Sequence, residues 1–98
     1  MHSKQTPGEY AKAKAVRAID EDAVRVCGRF PGRLLEVREA RGLSRYALAR
    51  TAGISREMVG RIEAGESIPT LFVLVKLARA MGVSLVELLG VLEARGGG

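Results

Sequence analysis

Between Ser44 and Gly65 the chain reads SRYALARTAGISREMVGRIEAG, and its punctuation leaves few options for the fold. Ser44 is a helix N-cap type, whose hydroxyl can satisfy a first-turn N–H, and Leu48 follows as the first large apolar position. Gly53 predicts the stop of that helix, because a tight exit needs a left-handed residue and any side chain there is strained. Ser55 is a second cap, Val59 and Ile62 stand three apart on one helical face, and Gly65 is a second stop. The stretch predicts two short helices joined by a glycine turn.

Such a pair, in which the first helix braces a second offered to DNA, is a known supersecondary unit. Residues 33–90 resemble the phage Cro/repressor-type helix-turn-helix domain, the XRE family. The matching residues are the LxxVREARGLS run ending at Ser44, Leu48 and Ala49, Gly53 with Ile54 and Ser55, and the RIEAG run ending at Gly65. Pro69, the LVKLARAMGVS run ending at Ser84, and Leu88 with Leu89 complete the match. The resemblance implies an all-α, five-helix lambda-repressor-like domain with an additional N-terminal helical segment. It implies a sequence-specific DNA-binding transcriptional regulator, reading an inverted repeat as a homodimer, with double-stranded DNA as its partner.

The rest of the composition is compatible with little else. Ninety-eight residues make one domain, and so small a core is marginal unless a partner covers more apolar surface. No apolar run approaches the ~20 residues that cross a bilayer, and no signal-peptide pattern opens the chain, so a cytoplasmic protein without membrane contact is expected. Cys27 is the single cysteine and His2 the single histidine, and no glycine-rich phosphate loop precedes a lysine. No metal site, cofactor or catalytic constellation can be assembled from these, and an enzyme is not expected. Cys27 reads as a small buried or half-buried apolar residue. The net charge of +5 suits a polyanion, and its distribution says more: Arg41, Arg45, Arg50, Arg56 and Arg61 face only Glu57 across residues 41–61.

In chain order, residues 1–8 read as a flexible start and 9–30 as a helical extension. Residues 31–94 form the domain, and 95–98 a flexible tail. Within the extension Tyr10, Ala13, Val16, Ile19, Ala23 and Val26 follow helical spacing. The passage Ala18–Asp22 leaves open one bent helix or two short ones. Packing on its own domain is the leading reading of this segment; exchange onto a second subunit and binding of another protein are the alternatives. Gly28, Pro31 and Gly32 mark the joint.

Within the domain the first helix is expected from Pro31 or Arg33 to Arg41, with Leu34 and Val37 inward. The resemblance assigns Arg38 to a structural ion pair with Glu63 at the end of the recognition helix. It assigns Arg56, Glu57 and Arg61 to base edges. Chemistry agrees, since arginine can donate twice to guanine and glutamate can accept from cytosine N4. Glu57 has an alternative role in orienting a neighbouring arginine. Arg45, at a helix N-terminus, suits phosphate; Tyr46, Arg50 and Ser67 are further backbone candidates. Gly60 interrupts the recognition helix at a cost of about 0.5–1 kcal/mol relative to alanine, either permitting close approach to the groove or simply tolerated.

Apolar residues exceed what one domain face absorbs. The helix Leu71–Met81 carries Phe72 and Val73 where related domains are polar, and the last helix carries a stripe of Leu85, Leu88, Leu89 and Leu92. Phe72, Val73, Leu85, Leu89 and Leu92 are therefore candidates for a dimer or partner surface. The same surplus supports a second function, an antitoxin or adaptor that holds a protein through residues 9–30, with DNA binding secondary.

Overall fold

The computed structural model describes residues 7–94, and every element among them is helical. The flexible tail assigned to 95–98 and residues 1–6 of the flexible start assigned to 1–8, His2 included, lie outside the described residues. Pro7 and Gly8 do not belong to a loose start: they open α1, Pro7–Cys27. This helix is continuous through Ala18–Asp22. No proline or glycine falls between Glu9 and Cys27 to break it, and Asp22 pairs with Arg25 one turn on. It ends where the Gly28 amide donates to the Val24 carbonyl at 2.8 Å; a Cβ on Gly28 would approach that oxygen to 3.0 Å.

The domain follows as α2 (Phe30–Ala40), α3 (Arg45–Ala52), α4 (Arg56–Glu63), α5 (Leu71–Met81), α6 (Leu85–Leu89) and α7 (Val91–Ala94). The last two are the expected fifth helix, broken at Gly90, where a Cβ would stand only 2.8 Å from the Val86 carbonyl oxygen. Four side-chain caps start these helices: Ser44, Ser55, Thr70 and Ser84 each accept from the amide three residues on, at 2.9–3.2 Å. Gly53 exits α3 at φ 73°, ψ 36°, and the Ile54 amide returns to the Ala49 carbonyl at 3.0 Å, closing the turn.

The buried side chains form one cluster. Leu34 and Val37 of α2, Leu48 and Ala49 of α3, Val59 and Ile62 of α4, Leu77, Ala78 and Met81 of α5, and Leu88 of α6 meet at its centre. Small Ala49, 3% exposed, lets α3 approach α4 closely, and a larger residue there would force the pair apart. Two arginines close the ring between chain-distant ends. Arg33 donates to the Leu88 and Glu87 carbonyls at 3.0 and 2.8 Å, and Arg29 donates to the Leu92 carbonyl, so cations satisfy carbonyls that α6 and α7 leave unpaired.

Three expectations fail here. Packing of residues 9–30 on their own domain is confined to the end of α1: Val26 is half-buried, but Val16, Ile19 and Val24 are 51%, 65% and 72% exposed. Their helical spacing marks a face without saying what covers it. Cys27 is exposed rather than buried, being on the last turn of this projecting helix. Leu92 is not available to a partner, because α7 turns it into the subunit's own core beside Phe30. Val73, Leu85 and Leu89 are half-buried, which leaves Phe72 as the most exposed of the five candidate surface residues.

Candidate nucleic-acid interface

The N-terminal ends of α3 and α4 open onto one concave face, lined by Ser44, Arg45, Tyr46, Arg56, Glu57, Gly60, Arg61, Ala64 and Glu66, with Arg38 at its floor. The reason is the wheel of α4. Val59 and Ile62 are fully buried against α3 and α2, so Glu57, Gly60 and Arg61 on the opposite side of the helix turn outward. Glu57 and Arg61, one turn apart, therefore project together, and Arg61 Nη2 donates to Glu57 Oε2 at 2.9 Å. Arg56, in the exposed first turn, forms no ion pair among the described residues. Gly60 lies between these side chains, and a Cβ placed there would meet nothing within 4 Å. Nothing among the described residues requires a glycine at this point.

The floor of the face is an ion-pair network around Glu63. Arg38 Nε donates to Glu63 Oε2 at 2.6 Å, Nη2 donates to Oε1 at 3.1 Å, and Nη1 donates to the Leu43 carbonyl at 2.8 Å. The two side chains are 11% and 3% exposed. Burial pushes the Glu63 carboxyl up, but the hydrogen bonds from Arg38 and then Arg45 outweigh it and hold the group below its ordinary range. The bond to Glu63 likewise raises Arg38 against the opposing effect of burial.

Arg45 is the member that sequence reasoning assigned only half its surroundings. Its Nε donates to Glu63 Oε1 at 3.0 Å while the side chain stays 55% exposed at the edge of the face. Glu63 sits 18 residues downstream, and only the crossing of α3 over the end of α4 brings them together. Arg50 lies one turn behind, and its Nη1 donates to the Tyr46 hydroxyl at 3.0 Å, fixing an exposed ring beside Arg45. Ser67 is elsewhere. It lines a separate apolar depression with Val26, Phe30, Ile68, Pro69 and Leu74, because the loop after α4 turns back under α1. Ser44, Ala64 and Glu66 complete the concave face without having been assigned to it; their small size or loop position gives no chemical signal in sequence.

Lys76 was also missed. Its Nζ donates to the Gly53 carbonyl at 3.2 Å and stands 5.1 Å from the centroid of the exposed Phe72 ring. It ties α5 to the turn between α3 and α4.

The family model described as helix-turn-helix matches residues 34–88, more than half of the chain. The chain belongs to the helix-turn-helix family. It is 38% identical over 72 residues to a "Putative HTH-type transcriptional regulatory protein" of Pyrococcus abyssi, covering 74% of this chain and 22% of that one. It is 42% identical over 50 residues to the HTH-type transcriptional regulator SutR of Escherichia coli, covering 51% of this chain and 28% of that one. The chain thus spans about a quarter of the length of these curated relatives. Among solved structures, the restriction-modification controller protein C.AhdI of Aeromonas hydrophila superposes with a TM-score of 0.60 at 40% identity. That match covers 61% of this chain and 91% of the controller protein.

Proposed function

We propose that the chain is a sequence-specific DNA-binding transcriptional regulator, acting as a homodimer on an inverted repeat with α4 in the major groove. The observation that carries this reading is the concave face, where Arg45, Arg56 and Arg61 surround a glycine with open space above it. An α-helix fits a major groove about 12 Å wide, and the duplex edge presents acceptors to those guanidinium groups. The names of the two curated relatives and of the controller protein support a regulatory role.

Within this reading Arg56 and Arg61 donate to guanine O6 and N7. Glu57 accepts from cytosine N4 or, through its bond to Arg61, fixes the angle at which that arginine enters the groove. Arg45, Tyr46 and Arg50 set register on phosphates. Arg45 can turn to a phosphate without unpairing Glu63, because Arg38 holds both carboxylate oxygens. Ser67, on the other depression, is left out of the phosphate set.

Selection of bound duplexes from a random pool by the purified protein tests this. Enrichment of G·C-containing half-sites in inverted repeat, with centres one helical turn or about 34 Å apart, is the expected result. A pool that stays random at low salt would overturn it.

A further inference from the structure

Outside the concave face, α1 is a long exposed helix. It is 21 residues long, about 31 Å at 1.5 Å per residue, and every described side chain from residue 11 to 25 is exposed. A helix in a folded protein owes most of its stability to the packing of an apolar face. Val16, Ile19, Ala23 and Val26 supply such a face, at the 3-4-3 spacing of a coiled-coil seam. Only Val26 uses it within the subunit, where α1 meets the apolar depression. The seam is continuous from that contact outward to Val16 and has no cover among the described residues.

The charges on α1 indicate what covers it. In the N-terminal half, Lys12, Lys14 and Arg17 stand against Glu9; in the C-terminal half, Asp20, Glu21 and Asp22 stand against Arg25. Asp22 and Arg25 pair with each other, while Asp20, Glu21, Lys12, Lys14 and Arg17 have no ion-pair partner among the described residues. One half of the helix is therefore basic and the other acidic, with the boundary beside Val16 and Ile19. A parallel pair of such helices sets like charges against each other, and an antiparallel pair sets each half against its opposite.

We propose that α1 pairs antiparallel with α1 of a second copy of this chain, burying the Val16–Ile19–Ala23 seam and matching the basic half of each helix to the acidic half of the other. The crossing falls near residues 16–19, and the first turn of each helix arrives beside the partner's last turn, at the mouth of the apolar depression. The proposal does not rest on DNA binding.

Sedimentation equilibrium of the full chain without DNA tests it, using two charge-reversed variants, K12E/K14E/R17E and D20K/E21K/D22K. All six positions are exposed charges on α1, outside the α2–α7 core, so amide chemical shifts of the α2–α7 core should match the parent while α1 itself is free to lose helicity when unpaired. The parent is expected to be a dimer, and each variant alone should dissociate at least tenfold more readily. An equimolar mixture of the two should recover the dimer, because opposite halves face each other again. Variants that dimerise like the parent, or a mixture that stays monomeric, would overturn the proposal. So would a parent monomeric at every concentration, which would leave the seam to a different protein. Cys27 reports the orientation independently. In an antiparallel pair the two thiols stand at opposite ends, tens of ångströms apart, and mild oxidation should give no Cys27-linked dimer. A rapid, complete Cys27 disulfide would show a parallel pair and sink the assignment.

Discussion

Two of the arginine–glutamate pairs that involve α4 have the same chemistry and opposite surroundings. At its C-terminal end Arg38 and Glu63 are 11% and 3% exposed, bidentate, with the remaining guanidinium donor on a backbone carbonyl. On its outer face Arg61 and Glu57 are 60% and 73% exposed and share a single bond. Removing one partner of the buried pair strands a charge that water cannot reach, whereas the exposed pair exchanges its partner for solvent at little cost. The first pair fixes where α4 sits. The second is left adjustable.

That contrast can be broken at several points. Arg38→Ala should have the largest effect, about 3–5 kcal/mol of stability by urea denaturation, because Glu63 stays buried with only Arg45 beside it. A loss under about 1 kcal/mol would show that Glu63 is solvated in the folded protein. The same pair has an acid limb. Since Glu63 titrates below its ordinary range when folded, its contribution is complete above the unfolded value of about 4.3. It is lost as pH falls through the lowered folded value. Urea midpoints measured down to about pH 2 should fall more steeply in the parent than in Glu63→Gln, once the variant's lower starting stability is subtracted.

The exposed pair should respond in binding and hardly in folding. Arg61→Ala is expected to lose about 1–3 kcal/mol of binding and to relax preference at one base pair, with its melting curve nearly unchanged. An unchanged site preference in competition binding would remove Arg61 from base reading. Gly60→Ala should raise stability by about 0.5–1 kcal/mol, since the helix gains propensity and the methyl meets open space. It should weaken DNA binding, because that space lies in the middle of the concave face; a variant both more stable and equally tight would show the glycine to be merely tolerated. Smallest is Glu57→Ala, whose i,i+4 bond to Arg61 contributes about 0.3–0.5 kcal/mol to folding. Its signature should be a broader set of selected half-sites.

Much of this was legible in the linear chain because it depends on neighbours in sequence. Ser44, Ser55, Thr70 and Ser84 cap through amides three residues away, and Gly53 ends a helix by its own backbone freedom. The wheel of α4 likewise follows from Val59 and Ile62 alone. Where the reading was incomplete, the deciding contact was distant. Arg45 meets Glu63 only because α3 crosses the end of α4, and Ser67 faces the apolar depression only because its loop turns back under α1. Leu92 is swallowed by its own core because the chain breaks at Gly90, a distortion that a continuous leucine stripe conceals. For α1, helical spacing showed that an apolar face exists, but spacing cannot say whether the domain lies beneath it.

By itself, then, the sequence determined the starts and stops of α3, α4 and α5 and which α4 residues turn outward, because caps, glycine exits and helical periodicity act within a few residues. Only the tertiary structure decided which charges are shared, which apolar residues are spent inside the subunit, and that α1 projects with its seam uncovered. Those outcomes depend on which surfaces meet when α2, α5 and α7 close around the core, and a contact between residues tens of positions apart leaves no mark on the local pattern of either.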